Sequence, residues 1–245
     1  MGCIPKERVE QEHRDTGVEL AEVGTAASAV AAGSPKAAAQ RSSSAASRDE
    51  LLSEPYTDRF ERSELGPDWR ATSSAWHIEG GRLCAARAHN HPVWLARRIP
   101  TNARIEFDAL SHSADGDIKA ELWGDGVSAA VRTTYDDATG YLVIFGGWRN
   151  QFHVLTRLDE HGKDRIQLPI DPNATELRRA PVVTSRSYHF TVERFDGHTV
   201  RWLVNGQEMA VLKDDVPLSG PGHDHFGFND WEAAVCFDNL TLTPI

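Results

Sequence analysis

The sequence predicts an all-β fold, an antiparallel two-sheet sandwich preceded by a disordered N-terminal tail. Short runs in which apolar and polar residues alternate recur from Tyr56 onward, as expected of strands with one buried face. Gly, Asp, Asn and Pro separate these runs, and these residue types form tight turns. No convincing helical pattern occurs between residues 56 and 245. About a dozen strands joined by short loops favour a sandwich.

The first 54 residues differ in composition from the rest of the chain. The segment "VGTAASAVAAGSPKAAAQRSSSAASRDE" is rich in Ala and Ser and nearly free of large apolar side chains. Such a segment cannot bury enough apolar surface to offset the entropy lost on ordering. We therefore expect a disordered tether over residues 1–54 and one folded domain over residues 55–245.

The start of the chain suggests a lipid anchor. Gly2 and Cys3, followed by a flexible segment, are similar to the lipid-bearing start of a bacterial lipoprotein, although no apolar signal segment precedes them here. A eukaryotic myristoylation motif needs Ser or Thr at the sixth position, where Lys6 stands. We expect lipidation at Cys3 and a location at the cell envelope or outside the cell. A cytoplasmic protein with an unmodified tail is the alternative.

Charge and hydropathy argue against two classes of partner. The formal net charge is −10, whereas nucleic-acid binding requires a basic surface. The chain has no run of about 18 apolar residues, so contact with a membrane is expected only through a lipid anchor.

Alternation within single runs predicts which side chains face the core. In "RIEFDAL", Ile105, Phe107 and Ala109 lie on one face, and Glu106 and Asp108 lie on the other. The inward residues of the following run, "DIKAELW", are Ile118, Ala120 and Leu122. The segment "RFDGHTVRWLVNGQEM" predicts two successive hairpins, because Asp-Gly and Asn-Gly pairs favour tight turns.

Three motifs resemble concanavalin A-like lectin/glucanase domains of the LamG-like jelly-roll type. The opening "YTDRFERSELGPDWRATSSAWHIEGGRLCA", the hairpin "YHFTVERFDGHTVRWLVNGQEM" and the close "FGFNDWEAAVCFDNLTLTPI" occur in the family's order and spacing, and together they cover residues 56–245. The resemblance implies a jelly roll of two curved antiparallel sheets. It also implies that ligands bind on the concave face or its rim.

The same family contains glucanases, whose active strand carries the pattern E-x-D-x-x-E. "EFDALS" supplies Glu106 and Asp108, but Ser111 occupies the last position. A retaining glycosidase needs two carboxyl groups about 5 Å apart. Glu121 on the next strand is the substitute partner if the register allows it. Catalysis is therefore left open, and a non-catalytic strand with an outward polar face is favoured.

The resemblance also implies that the first and last strands pair antiparallel. Cys84 can then lie opposite Cys236, either as a disulfide or as two buried free thiols. A disulfide would indicate an oxidising compartment.

The same register brings "AHNHPVW" beside "HDHFGFNDW". It places His89 opposite Trp231 and His91 opposite Asn229, with a bulge at Pro92 as a complication.

Three interpretations of this region remain open. In the first, aromatic and polar side chains form a sugar-binding surface, because pyranose C–H faces stack on Trp and polar groups bind the hydroxyls. The candidate residues are Trp123, Trp148, Arg149, Asn150, His223, His225, Asn229 and Trp231, with Glu106, Asp108 and Glu121 as a polar floor. In the second, zinc is bound by His89, His91, His223 and His225. In the third, the aromatic residues fill the core.

The sequence thus favours a non-catalytic domain that binds an oligo- or polysaccharide. The alternatives are a glycoside hydrolase of the same fold and a protein-interaction domain. No cofactor is required. Calcium is the one that the resemblance allows, with Asp58 and Asp238 as candidate ligands, although calcium needs six to eight oxygens.

Overall fold

The computed structural model describes residues 49–245, which form the predicted all-β sandwich of two antiparallel sheets. Residues 1–48 lie outside the described part, and with them most of the predicted tether and the predicted lipidation of Cys3. Within residues 49–245, no helix has both the length and the apolar character needed to cross a membrane.

The described part of the chain, residues 49–245, forms fifteen strands and a single four-residue helical turn. In chain order the strands are β1 (Tyr56–Asp58), β2 (Trp69–Ala71), β3 (His77–Glu79), β4 (Arg82–Ala85), β5 (Val93–Leu95), β6 (Ala103–Ser111), β7 (Ile118–Gly124), β8 (Tyr141–Gly146), β9 (Phe152–Arg157), β10 (Ile166–Pro169), β11 (Tyr188–Arg194), β12 (Thr199–Val204), β13 (Gln207–Lys213), β14 (His225–Asn229) and β15 (Val235–Pro244). The helical turn, Gly147–Asn150, follows β8 directly.

The strands form one eight-stranded and one seven-stranded sheet. The eight-stranded sheet has the order β13-β12-β11-β6-β15-β4-β3, with β1 also paired to β15. The seven-stranded sheet has the order β10-β9-β8-β7-β14-β5-β2. Four of the seven neighbouring pairs in the eight-stranded sheet, and three of the six in the seven-stranded sheet, join strands that are not consecutive in sequence, so the sheets bring distant segments together.

Apolar side chains from both sheets fill the space between them. The predicted inward residues of β6 and β7 are all in this core. Phe107 of the eight-stranded sheet stacks on Phe190 at 4.8 Å between ring centroids, and it meets Phe228 of the seven-stranded sheet edge-on at 5.1 Å. The alternation predicted from sequence is therefore confirmed for both strands.

The two predicted hairpins are also confirmed. β11 pairs with β12, and β12 pairs with β13. Asn205 and Gly206 form the second turn with φ values of 50° and 76°. A two-residue turn with positive φ at both positions matches the right-handed twist of the strands, which is why Asn-Gly occurs there.

β4 and β15 pair in the predicted register, with Cys84 opposite Cys236, and the two residues are joined by a disulfide. The same register continues beyond the strands, since the backbone N–H of His89 donates to the carbonyl of Trp231 at 2.9 Å. The chain then crosses to the seven-stranded sheet, where β5 pairs with β14 in a register shifted by one residue. The shift falls between Asn90, which still pairs with Asp230, and Val93, which pairs with Phe228; Pro92 lies in this stretch.

The folded part begins earlier than the sequence indicates. The backbone N–H groups of Asp49 and Leu52 donate to the carbonyls of Ala96 and Arg98, at 3.1 and 2.9 Å. Residues 49–54, which composition assigns to the tail, thus run along residues 96–98. Such pairing depends on backbone groups and leaves no compositional signal.

Candidate functional site

A cleft of about 440 Å³ opens on the outer face of the seven-stranded sheet. Its size falls in the range of small-molecule and glycan sites. Charged, polar and aromatic side chains line it: Asp115, Asp117, Lys119, Thr133, Ile144, Trp148, Arg149, Gln151, Glu160, His161, Trp231, Glu232 and Ala233.

The pleat of β7 places Lys119 at the floor of this cleft. Ile118 and Ala120 point into the core, so Lys119 between them points to the outer face. Ile144 of β8 lies opposite Lys119 in the sheet and adds an apolar patch. The floor therefore belongs to two rigid central strands.

A left-handed turn presents Trp148 at one side of the cleft. Trp148, Arg149 and Asn150 have consecutive φ values of 52°, 58° and 61°. The left-handed region costs an L-residue roughly 1–2 kcal/mol, so three such residues in a row store strain. Backbone strain of this kind is concentrated at functional sites.

Two side chains hold this turn in place. The Asn150 amide donates to the carbonyls of Ala114 and Val182, at 3.1 and 2.9 Å, and its Oδ1 accepts the N–H of Val182 at 2.9 Å. The backbone N–H of Gly146 donates to Nδ1 of His153 at 3.1 Å, and burial lowers the pKa of His153 to about 4. Asn150 is a predicted ligand contact, but its side-chain amide is already hydrogen-bonded to backbone groups of Ala114 and Val182.

Trp148 is half-buried, and its ring has three side-chain neighbours. The Arg165 guanidinium lies 4.6 Å from the ring centroid, a cation–π contact. His161 and Phe152 meet the ring edge-on at 5.5 and 6.2 Å. These contacts orient the indole, and part of it stays open to the cleft.

Trp231 lines the same cleft from the segment that joins β14 to β15. Its backbone N–H donates to Asp117 Oδ2 at 3.1 Å, and its half-buried ring lies 5.0 Å from that of His89. Trp148, Arg149 and Trp231 are the predicted ligand-binding residues that the structure brings together.

Buried charged side chains line the same cleft as the two indoles. The Lys119 ammonium donates to Glu160 Oε2 at 2.8 Å and to Asn90 Oδ1 at 2.7 Å. Burial lowers the pKa of Lys119, but the nearby Glu160 and Asp117 carboxylates outweigh it, and the net shift is upward. Lys119 therefore stays charged at neutral pH.

Two further carboxyl groups adjoin this pair. Burial raises the pKa of Asp117, and the Lys119 ammonium opposes the rise. Burial also raises the pKa of Asp230 to about 7, and the Asp117 carboxylate adds to the rise. One lysine faces more carboxylates than it can neutralise, so the floor of the cleft favours positive charge or protons.

Trp123 is not available to a ligand. It is fully buried in the core, donates from its indole Nε1 to the carbonyl of Pro100 at 3.0 Å, and carries the Arg194 guanidinium 4.0 Å above its ring. The register between β7 and β14 shifts beside it, and its φ is 54°. This bulge turns inward a side chain that simple alternation would place outside.

The remaining ligand candidates, His223, His225 and Asn229, are not among the residues that line the cleft. His223 contacts the carbonyl of Thr139 through Nδ1 at 2.8 Å, and His225 is buried with Nδ1 2.8 Å from Asp224. Asn229, at the other end of β14, is fully buried, and its Oδ1 accepts the N–H of Asp230.

The four histidines predicted as zinc ligands do not converge. His89 lies beside Trp231, and His91 bonds through Nδ1 to the carbonyls of Ala88 and His89. His223 and His225 lie at the start of β14, next to the end of β7. Residues 49–245 contain no group of three or more His, Cys, Asp or Glu placed to hold a metal ion.

The two aspartates predicted as candidate calcium ligands already have partners within the fold. Both Asp58 oxygens are occupied by donors, since Arg62 binds them at 2.6 and 2.8 Å and the Trp69 indole donates to Oδ2 at 2.8 Å. Asp238 instead accepts the N–H of Asn239 and faces Arg82 at 3.8 Å. The two aspartates serve separate local networks.

The predicted polar floor of Glu106, Asp108 and Glu121 does not exist. β6 belongs to the eight-stranded sheet and β7 to the seven-stranded sheet, so Glu121 is separated from the other two by the core. Asp108 contacts His189 at 2.8 Å on the outer face of its own sheet. Glu121 is buried and accepts hydrogen bonds from Tyr135 and from the backbone of Thr139.

Sequence reasoning missed most of the polar lining. Asp117, Lys119 and Glu160 are the buried charged residues of the cleft lining, and none was a candidate. Lys119 had a signal, because it alternates with the inward residues Ile118 and Ala120 of β7. Its partner Glu160 lies in a loop remote in sequence and had none.

Solved structures with the same fold include carbohydrate-binding domains. The carbohydrate-binding module CBM66 from Bacillus subtilis is 14% identical, with 74% of this chain and 98% of that chain covered and a TM-score of 0.50. A protein of unknown function with a galectin-like fold, also from Bacillus subtilis, is 14% identical over 77% and 94%, with a TM-score of 0.53. The carbohydrate recognition domain of Emp47p is 12% identical over 78% and 95%, with a TM-score of 0.52.

The fold is a jelly-roll sandwich. At such low identity the likeness extends to the fold alone. No family model and no curated protein sequence matches the chain.

Proposed function

We propose that this domain binds an oligo- or polysaccharide in the cleft between Trp148 and Trp231, and that it is a concanavalin A-like sandwich. One observation carries the proposal. Two half-exposed indoles from distant segments line a single cleft of about 440 Å³ whose other walls are mostly polar. Sugar rings present apolar C–H faces that pack on indoles, and their hydroxyls need polar partners.

The polar lining suits sugar hydroxyls. Arg149, Gln151 and His161 are exposed at the cleft and offer donors, and Asp117 and Glu160 offer carboxylate acceptors. Charged groups form hydrogen bonds about twice as strong as neutral ones. The named carbohydrate-binding neighbours give the same fold a precedent for this class of ligand.

Binding is tested by glycan-array screening followed by calorimetry with the best ligand. Trp148→Ala and Trp231→Ala should each weaken binding by at least about tenfold, because each removes a stacking surface. Phe195→Ala is the matched control, since Phe195 is an exposed aromatic residue in the β11–β12 loop. Unchanged affinity in both tryptophan variants would locate the site elsewhere, and no glycan binding would favour a protein partner.

Hydrolysis is a second candidate, favoured by two carboxyl groups in the cleft. Glycosidases use one carboxyl with a raised pKa as the acid and a second as nucleophile or base. Asp117 has such a shift, and Glu160 is the second group. Reducing-sugar release from a bound polymer should then be abolished in Asp117→Asn with binding retained. Absence of release from every polymer that the protein binds would remove this candidate.

We also propose that Cys3 tethers the domain at a cell envelope. The Cys84–Cys236 disulfide supports an oxidising compartment. Mass spectrometry of the protein purified from its native membranes should find a lipid on Cys3. A Cys3 that is unmodified in that material would contradict the tether.

A further inference from the structure

The cleft carries an excess of negative charge. Among its lining residues, four carboxyl groups (Asp115, Asp117, Glu160 and Glu232) face two permanent cations, Lys119 and Arg149. The ammonium of Lys119 is already paired with Glu160 at 2.8 Å. Arg149, Asp115 and Glu232 are exposed at the rim, where solvent screens their charges. Of the buried charged groups in the lining, Lys119 and Glu160 pair with each other, and Asp117 forms no salt bridge within residues 49–245.

Asp117 holds the carboxylate that is best placed to meet a ligand. Its side chain is nine-tenths buried yet lines the cleft. Oδ2 accepts the backbone N–H of Trp231 at 3.1 Å, which fixes the carboxylate beside that indole. The other oxygen, Oδ1, has no hydrogen-bond donor within residues 49–245. Because Asp117 lines the cleft, this oxygen is open to a ligand that donates a hydrogen bond or carries a positive charge.

We propose that the saccharide bound here carries free amino groups, as in a glycan of unacetylated hexosamine units. This inference rests on the proposed function. The ammonium of one sugar unit pairs with Asp117 Oδ1 while the ring packs against Trp231. Because the carboxylate is largely removed from water, the ion pair is stronger than one at the surface. An acetylated amine loses the charge, and a uronic acid adds repulsion.

The test compares four tetrasaccharides that share one linkage and ring configuration. They are β-1,4-linked tetramers of glucosamine, N-acetylglucosamine, glucose and glucuronic acid, titrated by calorimetry at low salt. The glucosamine tetramer should bind at least about tenfold more tightly than the other three, and the preference should shrink as salt is added. Equal or tighter binding of any other tetramer overturns the inference, and so does binding of none.

A variant assigns the preference to Asp117. Asp117→Asn should abolish the preference for the glucosamine tetramer over the glucose tetramer. Asp215→Asn, an exposed carboxylate outside the cleft lining, is the matched control and should keep the preference. Retention of the preference in Asp117→Asn overturns the assignment. If that variant does not fold, the salt dependence of the unaltered protein decides.

Failure of the inference is distinguishable from failure of the proposed function. Glycan binding that depends on Trp148 and Trp231 but prefers a neutral or anionic sugar removes the amine and keeps the saccharide site. Absence of binding to any glycan removes both.

Discussion

Asn150 and Asp117 show at the scale of single residues how the fold and the cleft divide polar side chains between them. The Asn150 amide donates to the backbone carbonyls of Ala114 and Val182 and accepts the backbone N–H of Val182, so it is fully hydrogen-bonded within the fold. Asp117 accepts the backbone N–H of Trp231 through Oδ2, and its Oδ1 is left for a ligand in the cleft. Residue type alone favoured Asn150 as a ligand contact, and the pattern of bonds favours Asp117.

A pH-dependent stability follows from Asp230. Its pKa is raised to about 7 in the folded state, so between about pH 4 and 7 the folded protein holds a proton that the unfolded chain releases. Folding stability should therefore fall as pH rises through this window. Asp230→Asn cannot titrate, and urea unfolding at pH 5 and pH 8 should show a smaller difference for it than for the unaltered protein. An equal difference in both proteins would contradict the raised pKa.

Some of this residue-scale detail can be predicted from sequence, and some cannot. The outward position of Lys119 follows from its spacing in β7, because alternation is a property of the strand itself. Its partners Glu160 and Asn90 come from loops, and no local pattern links them to Lys119. The pKa shifts depend on those partners and on burial, so they are visible only in the structure.

The left-handed turn Gly147–Asn150 is the element on which the cleft depends most. This turn follows β8 directly and places Trp148 and Arg149 in the cleft lining. Asn150 and His153 stabilise a conformation that Trp148 and Arg149 do not favour on their own. The left-handed conformation therefore lowers the folding stability, and it places the Trp148 side chain at the cleft.

Arg149→Gly separates the strain of this turn from its function. Glycine adopts φ near 58° without a steric penalty. The free energy of unfolding of the variant should therefore be about 1 kcal/mol higher than that of the unaltered protein. It should also bind saccharide more weakly, because a donor at the rim is lost. Thermal unfolding and calorimetry measure the two effects.

Ser185→Gly is the matched control for this prediction. Ser185 has a φ of 61° and lies outside the cleft lining, so the change should raise stability and leave affinity unchanged. A loss of stability in Arg149→Gly would contradict the view that the turn is strained.

The disulfide joins β4 to β15, the strand that follows the Trp231 segment. It closes a loop with a sequence separation of 152 residues, so it restricts the unfolded chain strongly. Reduction should lower the free energy of unfolding by about 2–5 kcal/mol. Urea unfolding with and without reductant measures the change.

The variant with both Cys84→Ala and Cys236→Ala serves as the control, since its stability should not respond to reductant. Free thiols at Cys84 and Cys236 in the non-reduced native protein, located by alkylation and peptide mass, would contradict the bond.

At the scale of the whole molecule, alternation and turn residues predict the strand faces and the two hairpins, which depend on short-range order. The register of Cys84 against Cys236 is long-range, and it is predicted by the resemblance of the chain ends to the family. The sheet that each strand joins does not follow. β6 and β7 are neighbours in sequence but lie in different sheets, which separates Glu106 from Glu121.

The candidate site was predicted in part for the same reason. Trp148, Arg149 and Trp231 were chosen for their chemistry, and the topology brings them to one cleft. Trp123 was turned into the core by a bulge, and the histidines of β14 ended at the far end of the strand from Trp231. A bulge or a sheet crossing changes a face without changing the pattern of residue types.

The most direct measurement is a titration with the best-binding saccharide, followed through the indole N–H signals in NMR spectra. The chain has seven tryptophans, of which Trp148 and Trp231 are half-buried and the other five are buried in the fold. We predict that the indole signals of Trp148 and Trp231 shift together and saturate at one ligand per protein, while the other five stay in place. Saturable binding that leaves both signals unmoved would contradict the cleft as the saccharide site.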